Sequence, residues 1–277
     1  MKKLLHPKNL PMNVTGVGLV GFLLHLWALG SGPDTEGLYA LAAFPWILLL
    51  IVTVAVPFAI IYLTRPLGEP LKYTQNFPAS VVSAVGTLLG ALAIALAGIR
   101  SFSETPDALG VITGVLGIAG GVCLLFVAYA RLRGGKVNFL YHLIACIFLA
   151  LRTFNQCKLW SNQPQITPFL FYFMAQICAM LAVYQLCAFD VDLGKRRTSL
   201  FWSLMTVYLC LVALPATKDV LFCGCIAIWM LTNLCSLRPV KKRRPAPQEP
   251  EQTVQAPQIS TDVSVEEMLS WVEEDNG

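Results

Sequence analysis

The chain has 277 residues, of which 56% are hydrophobic and only 13% charged, whereas soluble domains carry roughly 25% charged residues. That balance excludes an ordinary soluble domain and points to a chain folded in lipid. The formal net charge of +4 is modest, and the basic residues sit at the ends of apolar stretches where they hold topology, so no nucleic-acid partner is expected.

A helix needs about 20 mostly apolar residues to cross a hydrocarbon core of roughly 30 Å at 1.5 Å per residue. Eight stretches qualify, two of them marginally: 13–30, 38–63, 79–99, 108–130, 137–153, 166–189, 199–215 and 219–237. If the N-terminus lies inside, all 20 Lys and Arg fall in inner segments except Arg100, Arg152, Lys158 and Lys218, as the positive-inside rule requires. The expected fold class is therefore an all-α, polytopic transmembrane helical bundle of about eight helices with both termini cytoplasmic. Residues 1–237 form its transmembrane domain, and its partners are the bilayer and, near the tail, anionic inner-leaflet lipids. A competing reading makes Met1-Lys2-Lys3 and the apolar run ending Ala28-Leu29-Gly30 a cleaved signal sequence.

In the first stretch His25 stands among Phe, Leu and Trp, where a histidine is expected to hydrogen-bond a neighbouring helix. The second contains Pro45 and Pro57, which remove backbone donors and favour kinks. The following inner loop, with Pro66, Gly68, Pro70 and Pro78, reads as a turn. The third stretch places Ser83 with Thr87, Gly86 with Gly90 and Ala93 with Ala97 four residues apart, and the fourth does so with Gly110 and Gly114, then Gly117 and Gly121. Such pairs let backbones approach closely, so these helices are expected to form a tight hairpin or, alternatively, a homo-oligomer contact.

The fifth, sixth and seventh stretches each carry a polar or small stripe. Asn138, His142, Cys146, Leu149, Ala150, Thr153 and Gln156 fall within about 120° at 100° per residue. Phe169, Tyr172, Gln176, Met180 and Cys187 fall within about 80°, and Ser199, Ser203, Thr206 and Cys210 within about 60°. Two accounts are open: hydrogen bonds that hold helices together, and a solute pocket lined by His142, Cys146, Tyr172, Gln176, Ser203 and Thr206. The nine cysteines lie almost wholly within predicted helices, with Cys157 in an outer loop, so buried thiols rather than disulfides are expected.

Leu151-Arg152, Trp160-Ser161, Gln163-Pro164-Gln165-Ile166, Phe189-Asp190 and Gly194-Lys195-Arg196-Arg197 together resemble a group of uncharacterised multi-pass membrane proteins of Gram-positive, clostridia-like gut bacteria. The resemblance covers about 50 residues, carries no catalytic motif and implies a bacterial cytoplasmic membrane.

Residues 238–263 form a polar, Pro-rich linker expected to be disordered. Within it Lys241, Lys242, Arg243 and Arg244 make a basic anchor against the inner leaflet. Residues 264–277 suit a short cytoplasmic amphipathic helix, with Ser264 and Glu267 as a capping box and Val265, Met268, Leu269, Trp271 and Val272 as an apolar face for docking a protein partner.

No GxxxxGK[ST], HExxH, GxSxG or CxxC pattern occurs, and no acidic residue lies in the interior of a predicted span, which argues against an ion-coupled carrier. His142 and Cys146 alone make an incomplete metal site, and His25 and His142 sit in opposite membrane halves, too far apart to share a haem. No cofactor, metal or enzyme activity is expected. The first expectation for function is a non-catalytic scaffold, sensor or accessory subunit acting through its tail. The second is a permease for a small neutral or amphipathic solute using a pocket between the fifth, sixth and seventh helices.

Overall fold

A computed structural model describes residues 9–31, 39–64, 77–104, 107–160 and 169–237. The chain divides into two units, Met1–Val240 and Lys241–Gly277, and all described residues belong to the first. The expected linker, the basic anchor Lys241, Lys242, Arg243 and Arg244, and the tail face of Val265, Met268, Leu269, Trp271 and Val272 lie outside the described residues.

Among the described residues the fold is all helical: α1 (Leu10–Gly30), α2 (Tyr39–Thr64), α3 (Val81–Glu104), α4 (Ala108–Arg133), α5 (Phe139–Trp160), α6 (Leu170–Asp190), α7 (Arg196–Ala213) and α8 (Val220–Ser236). Six of them, α1 to α6, are long and apolar enough to cross a membrane, and α8 is a shorter apolar helix. Leu19, Val20, Leu23, Leu50, Val54, Phe58, Leu88, Leu92, Leu96, Val115, Ile118 and Val122 all point outward. Water would penalise so continuous an apolar surface, and lipid accepts it. The chain is a multi-pass membrane protein.

α7 differs from the rest because it lies in the interior. It packs against α1, α2, α6 and α8, and none of its large apolar side chains is exposed. A helix screened from lipid by its neighbours does not need a uniformly apolar surface, so α7 can begin with Arg196 and Arg197 and carry Ser199, Ser203 and Thr206. The remaining adjacencies close into a ring: α3 packs on α4 and α8, α4 on α5, α5 on α6, α6 on α7, and α7 on α8.

Small residues set the closest approaches. A Cβ built on Gly98 would lie 2.8 Å from the Cα of Gly117, so α3 and α4 touch backbone to backbone there. The expected α3–α4 hairpin is present, but Gly86 and Gly90 serve a different partner. They lie under Thr232 and the Trp229 ring of α8. The small faces of both helices are thus buried within the chain. α4 ends at Gly134, whose φ of 69° is a left-handed conformation that glycine adopts at no steric cost.

Candidate functional site

Polar side chains inside the bundle fall into isolated bonds between helices and two clusters. The isolated bonds tie one helix to the next. His25 donates from Nδ1 to the carbonyl of Val212 at 2.5 Å, joining α1 to α7, as expected of a histidine placed there. Its ring lies edge-on to Trp46 and Phe171. The hydroxyls of Thr53 and Tyr208 meet at 2.9 Å between α2 and α7. Ser83 donates to Asn233 at 2.8 Å between α3 and α8, and Asn155 donates to Thr113 at 2.9 Å between α5 and α4.

The first cluster is built on Asp219, the residue ahead of α8. Arg152 of α5 donates from Nη2 to its Oδ2 at 2.5 Å, and the Tyr172 hydroxyl of α6 donates to the same oxygen at 2.7 Å. Arg100 of α3 takes the other oxygen at 2.9 Å. Gln156 donates to Tyr172 at 3.2 Å, and Arg152 reaches the Ala97 carbonyl at 3.4 Å and lies over the Phe222 ring. Four helices therefore meet on one carboxylate. Burial works to raise the Asp219 pKa, but the Arg152 guanidinium, the Tyr172 hydrogen bond and Arg100 outweigh it and hold the carboxyl below its usual range.

The side chain of Arg152 is only 2% exposed and lies within α5 rather than beyond its end. α5 runs on past residue 153 to Trp160, and the cationic side chain is accommodated because a carboxylate 67 residues away comes to meet it. A basic residue at the edge of an apolar stretch, with Asp219 at the start of another, was the available sign of this pair.

The second cluster joins the opposite ends of α5 and α6. His142 Nδ1 lies 2.5 Å from Asp190 Oδ2, and the two side chains are 1% and 0% exposed. The other atoms of the pair, Nε2 of His142 and Oδ1 of Asp190, are buried without a hydrogen-bond partner. Asp190 is the last residue of α6, just beyond the stretch 166–189. Its burial weakens the objection to an ion-coupled carrier that rested on the absence of buried acids.

The six expected pocket residues are distributed along the bundle. Tyr172 belongs to the Asp219 cluster, while His142 lies with Asp190 about ten residues, or roughly 15 Å, before Arg152 along α5. The Cys146 thiol points to the Met180 carbonyl, and the Thr206 hydroxyl bonds to Trp202 of its own helix. Ser203 is buried. Gln176 lies one turn from Tyr172 and so on the same face of α6. It is 2% exposed, and both atoms of its amide are buried without a hydrogen-bond partner.

All nine cysteines are free thiols, with Cys157 exposed on α5. Among the described residues no group of three or more His, Cys, Asp or Glu is placed to hold a metal ion. No family model, curated protein or solved structure matches the chain.

Proposed function

We propose that this protein is a carrier or channel for a small neutral solute, using the interior of the α3–α8 ring. Gln176 is the observation that carries this reading. An amide has two N–H donors and a carbonyl acceptor, and leaving such a group unpaired in a buried place costs about 1–3 kcal/mol. A solute that offers a donor and an acceptor side by side, such as an amide or a polyol, removes that penalty when it arrives. Tyr172 and Gln156, one turn away toward the end that carries Asp219, give it further polar contacts. The membrane is a bacterial cytoplasmic membrane with both termini inside, supported by the distribution of Lys and Arg and by the resemblance drawn from residues 151–197.

The test is osmotic swelling of vesicles containing the full chain, followed by light scattering with acetamide and with glycerol. Vesicles with the protein should swell faster than empty ones, and Gln176→Leu should abolish the difference. Equal swelling with and without protein, or an unaffected Gln176→Leu variant, would sink the proposal.

A second reading is favoured by the tail residues Val265, Met268, Leu269, Trp271 and Val272: a scaffold or sensor that docks a cytoplasmic protein. Deleting residues 245–277 should then remove a captured partner while Gln176→Leu leaves it bound. Retention of that partner after the deletion rejects this reading.

A further inference from the structure

The His142–Asp190 pair has features that holding helices together does not require. A single neutral hydrogen bond would join α5 to α6 equally well, and in lipid such bonds contribute about 0.6 kcal/mol on average. Here an ionisable imidazole meets a carboxylate with both side chains fully enclosed, and each keeps one buried polar atom unpartnered. An ionisable pair at membrane depth is costly, and such pairs serve in proton relays.

We infer that His142 and Asp190 form a proton-binding site. A carboxylate only accepts hydrogen bonds, so Nδ1 of His142 carries the hydrogen shared with Oδ2. In the empty state the imidazole is neutral and the pair has one buried negative charge. A proton from water then adds to the lone pair of Nε2 and forms a new N–H bond. The Nδ1–H···Oδ2 bond is retained, and the pair becomes an imidazolium–carboxylate of zero net charge. Release reverses the step. No other co-reactant is needed.

The surroundings at this end bear on when the site fills. α5 packs on α4 and α6, and α6 packs on α7. α4 carries Arg131, whose guanidinium lies over Phe77, and Arg133, over Tyr129. Lys136, in the turn between α4 and α5, pairs with Asp192 at 3.0 Å. The Cys187 thiol is directed to the Phe139 carbonyl and the Cys146 thiol to that of Met180. Lys195, Arg196 and Arg197 lead into α7. If the ring carries a neutral solute as proposed above, the proton is its coupling ion, and that last step alone rests on the earlier reading.

The experiment uses the full chain in nanodiscs with isotope-labelled imidazoles. The chain has three histidines, so His6→Gln and His25→Asn variants assign the His142 signals. As the medium is acidified and then returned, Nε2 of His142 should pass reversibly between its bare and protonated states. In Asp190→Asn, which removes the carboxylate that meets Nδ1, the protonated state should be lost or should require a more acidic medium. A wild-type His142 that keeps one state throughout overturns the inference without a variant having to fold, as does an Asp190→Asn titration that superimposes on wild type. Neither outcome touches the swelling assay, so failure of the proton site and failure of the solute pathway are separable.

Discussion

Arg152 and Asp219, 67 residues apart in the chain, meet at 2.5 Å inside the bundle, with side chains 2% and 11% exposed. Removing one partner strands the other. Asp219→Leu should destabilise the full chain by about 3–5 kcal/mol, whereas the pair Arg152→Met with Asp219→Leu should be much milder, because apolar replacement of a whole buried pair is often neutral. A double-mutant cycle measured by unfolding in mixed micelles checks this, and simple additivity of the two single changes would contradict it.

Stability at low pH should follow the same carboxylate. Its pKa is lower in the folded protein than its ordinary value, so its contribution is fully present above the ordinary value and is lost as pH falls through the depressed one. Wild type should therefore lose stability on acidification below about pH 4, where unfolded Asp begins to bind protons. Asp219→Asn should start less stable and show a flatter dependence over that window. Parallel curves would show that the carboxylate is not the titrating group.

Gly98 and Gly117 let α3 and α4 meet backbone to backbone. Gly117→Val should separate α3 from α4 and lower Tm, with a cost in the range of about 1–3 kcal/mol seen for overpacked cores. Gly16 is the matched control. A Cβ there meets nothing within 4 Å, and Gly16→Ala in mid-helix should raise stability by up to about 1 kcal/mol. Thermal unfolding of the two variants side by side reads both signs.

Gln176→Leu separates stability from function. With its amide unpartnered, the substitution removes a buried polar penalty and should leave Tm unchanged or raise it, even as solute permeation falls. A marked loss of Tm would mean the amide already has a structural partner, and the solute reading would lose its support.

Much of the architecture was legible because hydrocarbon thickness and backbone hydrogen bonding leave a spanning chain few choices. The runs that became α1 to α6 stand out in the amino-acid sequence, and His25 could be assigned to a bond between helices from its apolar surroundings alone. Of the expected pocket residues His142, Tyr172, Gln176, Ser203 and Thr206 are buried and Cys146 is half-buried, while Asn138, at the head of the fifth stripe, is exposed. Angular position says which residues share a face, but not which level of the neighbouring helix that face meets. His142 and Tyr172 therefore looked like parts of one pocket and instead joined separate clusters.

What the amino-acid sequence determined by itself is the solvent: a helical, multi-pass chain in lipid, because apolar length and sparse charge are local properties. What only the tertiary structure decided is how the buried charges are matched. Arg152 reads as a lone cation near the end of an apolar stretch until the start of α8 brings Asp219 beside it, and Asp190 reads as a helix-end residue until α5 encloses it with His142. An ion pair depends on the distance between two groups, and separations of 67 and 48 residues become contacts only when the helices pack.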